Sequence, residues 1–240
     1  MGSSYFYLEF LMGLVHLIRT SSKSGQFSNP ALFALEYTLV PDATFPTQLH
    51  QTRAGYEHLL SILPDPAKIL PIGDSAGATL ILSLLLQLSR QPNNEQIGLR
   101  PCFAVLISPW ITLVSPGNRN TESDYINADS LHLYGRQYVS SKASLHDPLV
   151  SPGMCKDERW WRRAAPSTGL AVMFGSEEVL GPETREFISS LKRAEVDVIV
   201  REEEGSIHAW PVATLFLSDT AEARLKGLRD IVAMVGECLS

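Results

Sequence analysis

Residues 68–88, KILPIGDSAGATLILSLLLQL, carry the pattern that decides the fold of this 240-residue chain. The apolar run KILPI has the length and character of a buried strand, and a Gly-Asp-Ser-Ala-Gly turn follows it directly. Residues 76–88 are then apolar except for Thr79, Ser83 and Gln87, which are spaced at i, i+4 and i+8. That spacing is typical of one narrow polar stripe on a helix. We therefore expect a strand, a sharp turn and a central, almost fully buried helix.

Other short apolar runs alternate with helical patterns along the rest of the chain. Helices with one apolar face are predicted for residues 49–63 after Pro46, for the stretch that Pro182 opens, and for the C-terminal stretch, where Asp219 and Glu222 have capping-box spacing. Strand–helix alternation of this kind predicts an α/β fold with a mainly parallel sheet flanked by helices. The further predicted strands are Ala31–Leu39, Cys102–Ser108, Leu170–Phe174 and Val196–Val200.

The chain is expected to form one domain, residues 1–240, with an inserted segment at 111–166. That segment is rich in Ser, Asn, Asp, Gly and Pro and is too long for a simple connection, so we predict a cap over the carboxyl edge of the sheet. The apolar N-terminal stretch, residues 5–18, is interrupted by Glu9 and His16 and is shorter than the ~20 residues that span a bilayer. We expect it to form a buried helix.

Composition excludes several classes of function. A formal net charge of −6 leaves no basic excess for a nucleic-acid partner. Three widely spaced cysteines suit a reducing compartment and form no CxxC motif. No GxGxxG, P-loop or HExxH motif occurs, so we expect no cofactor and no metal. With neither a signal peptide nor a membrane-spanning segment in the sequence, the prediction is a soluble cytoplasmic protein without stable membrane insertion.

The Gly-Asp-Ser-Ala-Gly turn contains G-x-S-x-G, which places Ser75 where a nucleophile would lie between a strand and a helix. A nucleophilic serine needs a base, and the base needs an acid that fixes its tautomer. Of the six histidines, only His208 follows the last plausible acid loop. That loop reads GSEEVL after the strand at 170–174, and both Glu177 and Glu178 are candidates for the acid. Asp74 is adjacent to the serine and cannot reach round to the histidine, so we expect it to play a supporting role.

Several motifs together resemble the hormone-sensitive-lipase-like branch of the α/β-hydrolases, and in particular fungal esterases of sterol esters or secondary metabolites. They are GDSAG (73–77), SPW (108–110), DPLVSP (147–152), GSEEVL (175–180) and HAW (208–210). The resemblance implies Ser75 as nucleophile, His208 as general base and then acid, and Glu178 rather than Glu177 as the orienting acid. It also implies that the Ala76 N–H is one donor of the oxyanion hole.

The implied function is carboxylic-ester hydrolysis through an acyl-serine intermediate, with a small-molecule ester as partner. Whether the chain forms a homodimer is left open. An acyltransferase or cyclase that uses the same triad is the first alternative. The second is a catalytically impaired ligand-binding homologue.

One departure from the resemblance bears on activity. The family carries an HGGG segment and preceding strands, whereas this sequence begins with residues that resemble those just after that segment. We therefore expect an N-terminally truncated fold whose oxyanion hole lacks donors. Residues 1–240 alone are accordingly expected to be a poor esterase, unless Gly2 and Ser3 supply the missing donors.

Overall fold

Four short parallel strands form the sheet in the computed structural model, which describes residues 5–20, 29–90, 98–139, 141 and 143–238. The strands lie side by side in the order β1–β2–β3–β4, and every neighbouring pair is parallel. They are β1 (Ile72–Asp74), β2 (Ala104–Ile107), β3 (Leu170–Gly175) and β4 (Val198–Glu203). The helices are α1 (Leu8–Thr20), α2 (Thr47–Ile62), α3 (Ala76–Leu88), α4 (Ala128–Val139), α5 (Glu158–Ala164), α6 (Gly181–Arg193), α7 (Trp210–Leu217) and α8 (Ala221–Cys238). The predicted parallel sheet flanked by helices is confirmed.

The core lies where α2, α3, α5 and α6 pack with the sheet. Every residue of β2 and β3 is buried, as expected of strands covered on both faces. Helix α3 begins and ends at the predicted residues and is buried along almost its whole length, including Thr79 and Ser83 of its polar stripe. Because α3 starts directly after β1, this buried helix fixes the position of the turn that holds Ser75.

One predicted strand is wrong, and two others are displaced. The stretch Ala31–Leu39 has no regular structure and is largely exposed. Its backbone at Thr38 bonds to helix side chains instead, since the N–H donates to Gln51 Oε1 (2.9 Å) and the carbonyl accepts from Gln48 Nε2 (2.9 Å). At Thr38, side-chain amides of α2 thus make the backbone hydrogen bonds that a neighbouring strand would otherwise make. Strand β1 begins at Ile72 rather than Lys68, because Pro66–Lys68 forms a 3₁₀ turn. The last strand, β4, runs over Val198–Glu203 rather than the predicted Val196–Val200.

The chain divides into two compact units, residues 37–208 and residues 1–36 with 209–240. The larger unit contains the sheet. The smaller contains α1, α7 and α8, with Gly13 of α1 close to Leu228 of α8. The expectation of a buried N-terminal helix is only partly met, because α1 buries Phe10 and Leu14 while Met12 is 65% exposed.

The start of α8 differs by one residue from the predicted capping box. Thr220 Oγ1 accepts a hydrogen bond from the Ala223 N–H (3.2 Å), so Thr220 rather than Asp219 caps the helix. Threonine is a favoured N-cap residue, because its hydroxyl accepts a hydrogen bond from a backbone N–H that has no partner within the first turn of the helix. Among the helices that the structure describes, none is both long and apolar enough to cross a bilayer.

The inserted segment 111–166 contains α4, the short turn Pro152–Met154 and α5. Helix α5 packs against α6, where the Trp161 ring meets Phe187 edge-on with 5.1 Å between ring centroids. Trp160 donates from Nε1 to the Leu86 carbonyl at the end of α3 (3.1 Å). These tryptophans therefore join the segment to the core helices.

Candidate active site

Ser75 lies in the turn between β1 and α3, with φ 49° and ψ −116°. A non-glycine residue rarely adopts positive φ, and such strain persists only where surrounding structure enforces it. Here the Ser75 N–H donates to the Ile107 carbonyl (2.9 Å), and its carbonyl accepts from the Trp110 N–H (3.2 Å). Both ends of the residue are thus fixed to β2 and the loop after it. The turn predicted from G-x-S-x-G is present.

The glycine before this turn allows the strand and helix to approach closely. A Cβ at Gly73 would lie 2.8 Å from the carbonyl carbon of Gly77 and 2.9 Å from the Ala78 nitrogen. Real Cβ atoms do not come so near to backbone, so only glycine fits. The sequence requirement for a small residue at this position follows from the packing of β1 on α3.

Glu178 lies in the loop after β3, and only 2% of the residue is exposed. Its Oε1 accepts from the Gly175 N–H (2.7 Å) and from the Ser108 hydroxyl. Ser108 directly follows Ile107, the residue that holds the Ser75 N–H. Hydrogen bonds therefore link the serine turn, the end of β2 and the buried carboxylate.

His208 lies beyond β4 and is 4% exposed. Its Nδ1 faces Glu178 Oε2 at 3.5 Å, and among the described residues neither atom has a hydrogen-bond partner. Gly175 lets the two loops meet, since a Cβ there would lie 2.1 Å from the Ser206 carbonyl oxygen. The structure thus brings Glu178 and His208 together, as the resemblance implied.

The other acidic candidates have different surroundings. Glu177 is half-buried, and its Oε1 accepts from the Ser176 hydroxyl (3.2 Å). Asp74 is half-buried at the end of β1. Burial and, secondarily, the charge of Asp74 raise the pKa of Tyr37 to about 12.

Two residues that the sequence did not single out contact the His208 loop. Asp124 Oδ1 accepts from the His208 backbone N–H (3.2 Å), and the Tyr125 ring meets the imidazole edge-on at 5.9 Å between centroids. Burial raises the pKa of Tyr125 to about 12, with smaller contributions from the charges of Asp124, Asp74 and Glu178. Neither residue has a local sequence signal, because His208 is distant from both along the chain.

Ala76 is the first residue of α3, and the first N–H groups of a helix have no partner within it. Its N–H is thus placed beside the serine, as an oxyanion donor would be. Gly2 and Ser3, the alternative donors, lie outside the described residues. In the described part of the chain, no three His, Cys, Asp or Glu side chains gather as they would around a metal ion.

Ser75, His208 and Glu178 are the side-chain types that nucleophilic catalysis by a serine uses. The Glu178 carboxylate faces Nδ1 of the histidine and favours the tautomer that leaves Nε2 free to accept a proton. The serine lies in a strained turn at the start of a helix, where positive helix-dipole charge favours a developing anion.

Several known proteins are similar to this chain in sequence. Relatives include an acetyl-hydrolase of Streptomyces hygroscopicus, 29% identical over 79% of this chain and 60% of its own length, and an esterase of Acinetobacter venetianus, 30% identical over 78% and 62%. A Schizosaccharomyces pombe protein provisionally named a steryl acetyl hydrolase is 30% identical over 75% of this chain. The chain spans 49% of the length of that relative. Across the three relatives, it spans between about half and two thirds of their length.

Solved structures show the same fold. Carboxyl esterase 2 of the fungus Tuber melanosporum superposes with a TM-score of 0.81 at 20% identity, over all of this chain and 75% of its own. An esterase from the bacterial hormone-sensitive lipase family superposes with a TM-score of 0.67 at 27% identity, over 85% of this chain and 63% of its own. A family model described as the alpha/beta hydrolase fold matches residues 26–212. The resemblance seen in the sequence is therefore confirmed, and the chain belongs to the α/β-hydrolase family.

Proposed function

We propose that this chain carries the catalytic centre of a serine hydrolase that cleaves carboxylic esters. The observation that carries the proposal is the buried Glu178–His208 pair, linked through Ser108 and β2 to the strained turn of Ser75. Burying a carboxylate and an imidazole costs desolvation free energy, so stability alone does not explain why this pair is buried. The names of the relatives, esterase and acetyl-hydrolase, support the same reaction class.

In the proposed reaction, Ser75 Oγ attacks the ester carbonyl carbon while His208 Nε2 accepts the hydroxyl proton. Glu178 stabilises the resulting imidazolium, which it faces through Nδ1. The Ala76 N–H donates to the negative oxygen of the tetrahedral intermediate. The C–O bond to the alcohol then breaks, the alcohol takes the proton from His208, and Ser75 remains acylated. A water molecule, deprotonated by His208, releases the carboxylic acid and restores the serine.

We propose that the ester substrate carries a short acyl group, with acetate as the first to test. This rests on the names of two relatives, which specify acetyl hydrolysis. Acyl transfer to an alcohol is the alternative outcome on the same groups. It differs only in which molecule deacylates Ser75.

The first prediction tests the three proposed catalytic residues as one unit. Ser75→Ala, His208→Ala and the double variant should all lower kcat for p-nitrophenyl acetate to a similar floor, about 10⁴–10⁶-fold below the unmodified chain, because members of a triad are not additive. Glu178→Gln should cost less, about 10²–10⁴-fold, since the base itself remains.

Glu177→Gln is the matched control, one residue away on the same loop, and should change kcat by less than about 3-fold. A damaging Glu177→Gln with a harmless Glu178→Gln would show that the acid is misassigned. Labelling of Ser75 by a fluorophosphonate, measured by mass spectrometry, should be abolished by Ser75→Ala. An unmodified chain that neither hydrolyses the ester nor takes the label would contradict the proposed function, and faster product formation with added alcohol would indicate acyl transfer.

A further inference from the structure

A short stretch of the inserted segment, residues 119–125, is hydrogen-bonded to the loop that carries Glu178. The Arg119 N–H donates to the Val179 carbonyl (3.3 Å), and the Thr121 hydroxyl donates to the Glu177 carbonyl (2.7 Å). The Thr121 hydroxyl also accepts from the Asp124 N–H (3.1 Å), which fixes the backbone at that residue. The stretch therefore lies along the acid loop rather than merely near it.

The Asp124 carboxylate binds the backbone of both catalytic loops. Its Oδ2 accepts from the Val179 N–H (2.9 Å), one residue after Glu178. Its Oδ1 accepts from the His208 N–H (3.2 Å). These partners lie 55 and 84 residues away in sequence, so one side chain connects two loops that are otherwise far apart along the chain.

Both side chains of the catalytic pair depend on this backbone placement. Glu178 is held through Oε1 by Ser108 and Gly175, so its Oε2 has little freedom to move towards the histidine. The remaining 3.5 Å to His208 Nδ1 is longer than a normal hydrogen bond. A small separation of the two loops would lengthen it further, and a small approach would close it. The position of the His208 backbone decides between these states.

We propose that Asp124 is a positioning residue, which holds the loops of Glu178 and His208 at the separation that lets the acid orient the imidazole. The inference rests on the proposed function. A carboxylate suits the role because it accepts hydrogen bonds at both oxygens, whereas an amide in its place would direct its own N–H groups at one of the two backbone donors. The inserted segment thus contributes to catalysis without touching the reacting atoms.

The test is a double-mutant cycle between Asp124 and Glu178, because a positioning role predicts coupling and a merely structural role does not. Asp124→Asn should lower kcat for p-nitrophenyl acetate about 10–100-fold with KM changed by less than about 3-fold. Asp124→Ala should lower kcat further, since it removes both acceptors. In a Glu178→Gln background, Asp124→Asn should cost less than about 3-fold, because the pair that it positions is already lost.

Asp129→Asn is the control, because it makes the same chemical change at an exposed position in the same segment. It should leave kcat and KM within about 2-fold of the unmodified chain. The proposal is overturned if Asp124→Asn leaves kcat unchanged, or if it lowers kcat by the same factor with and without Glu178→Gln. Equal losses would mean that Asp124 supports the fold alone.

A second measurement does not depend on activity. Amide hydrogen exchange by NMR should be at least about 10-fold faster at His208 and Val179 in Asp124→Ala, because both N–H groups lose their acceptor. The Gly175 N–H, which donates to Glu178 Oε1, should keep its exchange rate. If the unmodified chain shows no Ser75-dependent hydrolysis, the proposed function is wrong, but the exchange rates still test whether Asp124 holds the two loops. Unchanged exchange rates at both the His208 and the Val179 amides would show that Asp124 does not hold them.

Discussion

Around Ser75, the two glycines of the turn differ in the space that each leaves for a side chain. A Cβ at Gly73 would approach the backbone of Gly77 and Ala78 to within 3 Å. A Cβ at Gly77 would meet nothing closer than Asp74 Oδ1, at 3.9 Å, and the φ of Gly77 is not positive. The motif is symmetrical as written, but the packing demands glycine at the first position only.

This asymmetry gives a prediction at the scale of single residues. Gly73→Ala should destabilise the chain by about 1–3 kcal/mol, because the added methyl forces α3 away from β1. Gly77→Ala should leave stability unchanged or raise it by up to about 1 kcal/mol, because alanine favours a helix over glycine. Urea unfolding followed by circular dichroism measures both. Equal losses in the two variants would contradict the close approach at Gly73.

The roles of some site residues cannot be predicted from the local sequence. The loop GSEEVL contains two neighbouring carboxylates, and local pattern alone gave no choice between Glu177 and Glu178. The distinction depends on which side chain turns inward at the end of β3, where Ser108 and the Gly175 N–H provide partners. Asp124 could not be found at all, since its two acceptor contacts form only when distant loops meet.

At the scale of elements, prediction succeeded where burial produces a strong pattern. Strands β2 and β3 and helix α3 lie where apolar runs place them, because a fully covered element must be apolar along its length. Helix α2 lies where a periodic apolar stripe places it. The strand predicted at Ala31–Leu39 is wrong because the stretch is largely exposed, so burial does not determine its structure. Its apolar, β-prone residues do not specify a partner, and Gln48 and Gln51 bind the Thr38 backbone instead.

The polar stripe of α3 also departs from expectation, because Ser83 is fully buried. In the part of the chain that the structure describes, its hydroxyl has no hydrogen-bond partner. Ser83→Ala should therefore be neutral or stabilise the chain by up to about 1 kcal/mol, since it removes an unpaired buried hydroxyl. Leu85→Ala, two residues on in the same helix, should destabilise by about 2–5 kcal/mol.

Thermal or urea unfolding of the two variants checks this pair under identical conditions. Both substitutions leave alanine on the same buried helix, so helix propensity contributes little to the difference between them. A Ser83→Ala variant that loses as much stability as Leu85→Ala would mean that the hydroxyl is hydrogen-bonded in solution.

At the scale of the whole molecule, buried tyrosines make stability depend on alkaline pH. The pKa of Tyr37 is raised to about 12, mainly by burial, against an ordinary value near 10. Between pH 10 and 12 the unfolded chain has lost this proton while the folded chain retains it. The unfolded state then binds fewer protons, so the free energy of unfolding falls as pH rises through this range.

Tyr37→Phe should make that decline shallower, because phenylalanine carries no titrating proton in either state. Urea unfolding at pH 8, 10 and 11 measures the effect, with the pH 8 value of each protein as its own reference. The difference between the two proteins should change steadily above pH 10 in favour of the variant. A difference that is constant from pH 8 to pH 11 would contradict the raised pKa.

The two-sided anchoring of Glu178 has a consequence for comparing this chain with its relatives. One carboxylate oxygen accepts hydrogen bonds from Ser108 and Gly175, and the other faces His208. The length of the side chain therefore matches the distance from its loop to these partners. An aspartate at this position would fall about 1.5 Å short, the length of one carbon–carbon bond. Side-chain length and loop path must then change together, and an exchange of the two acids that looks conservative in an alignment implies a shifted backbone.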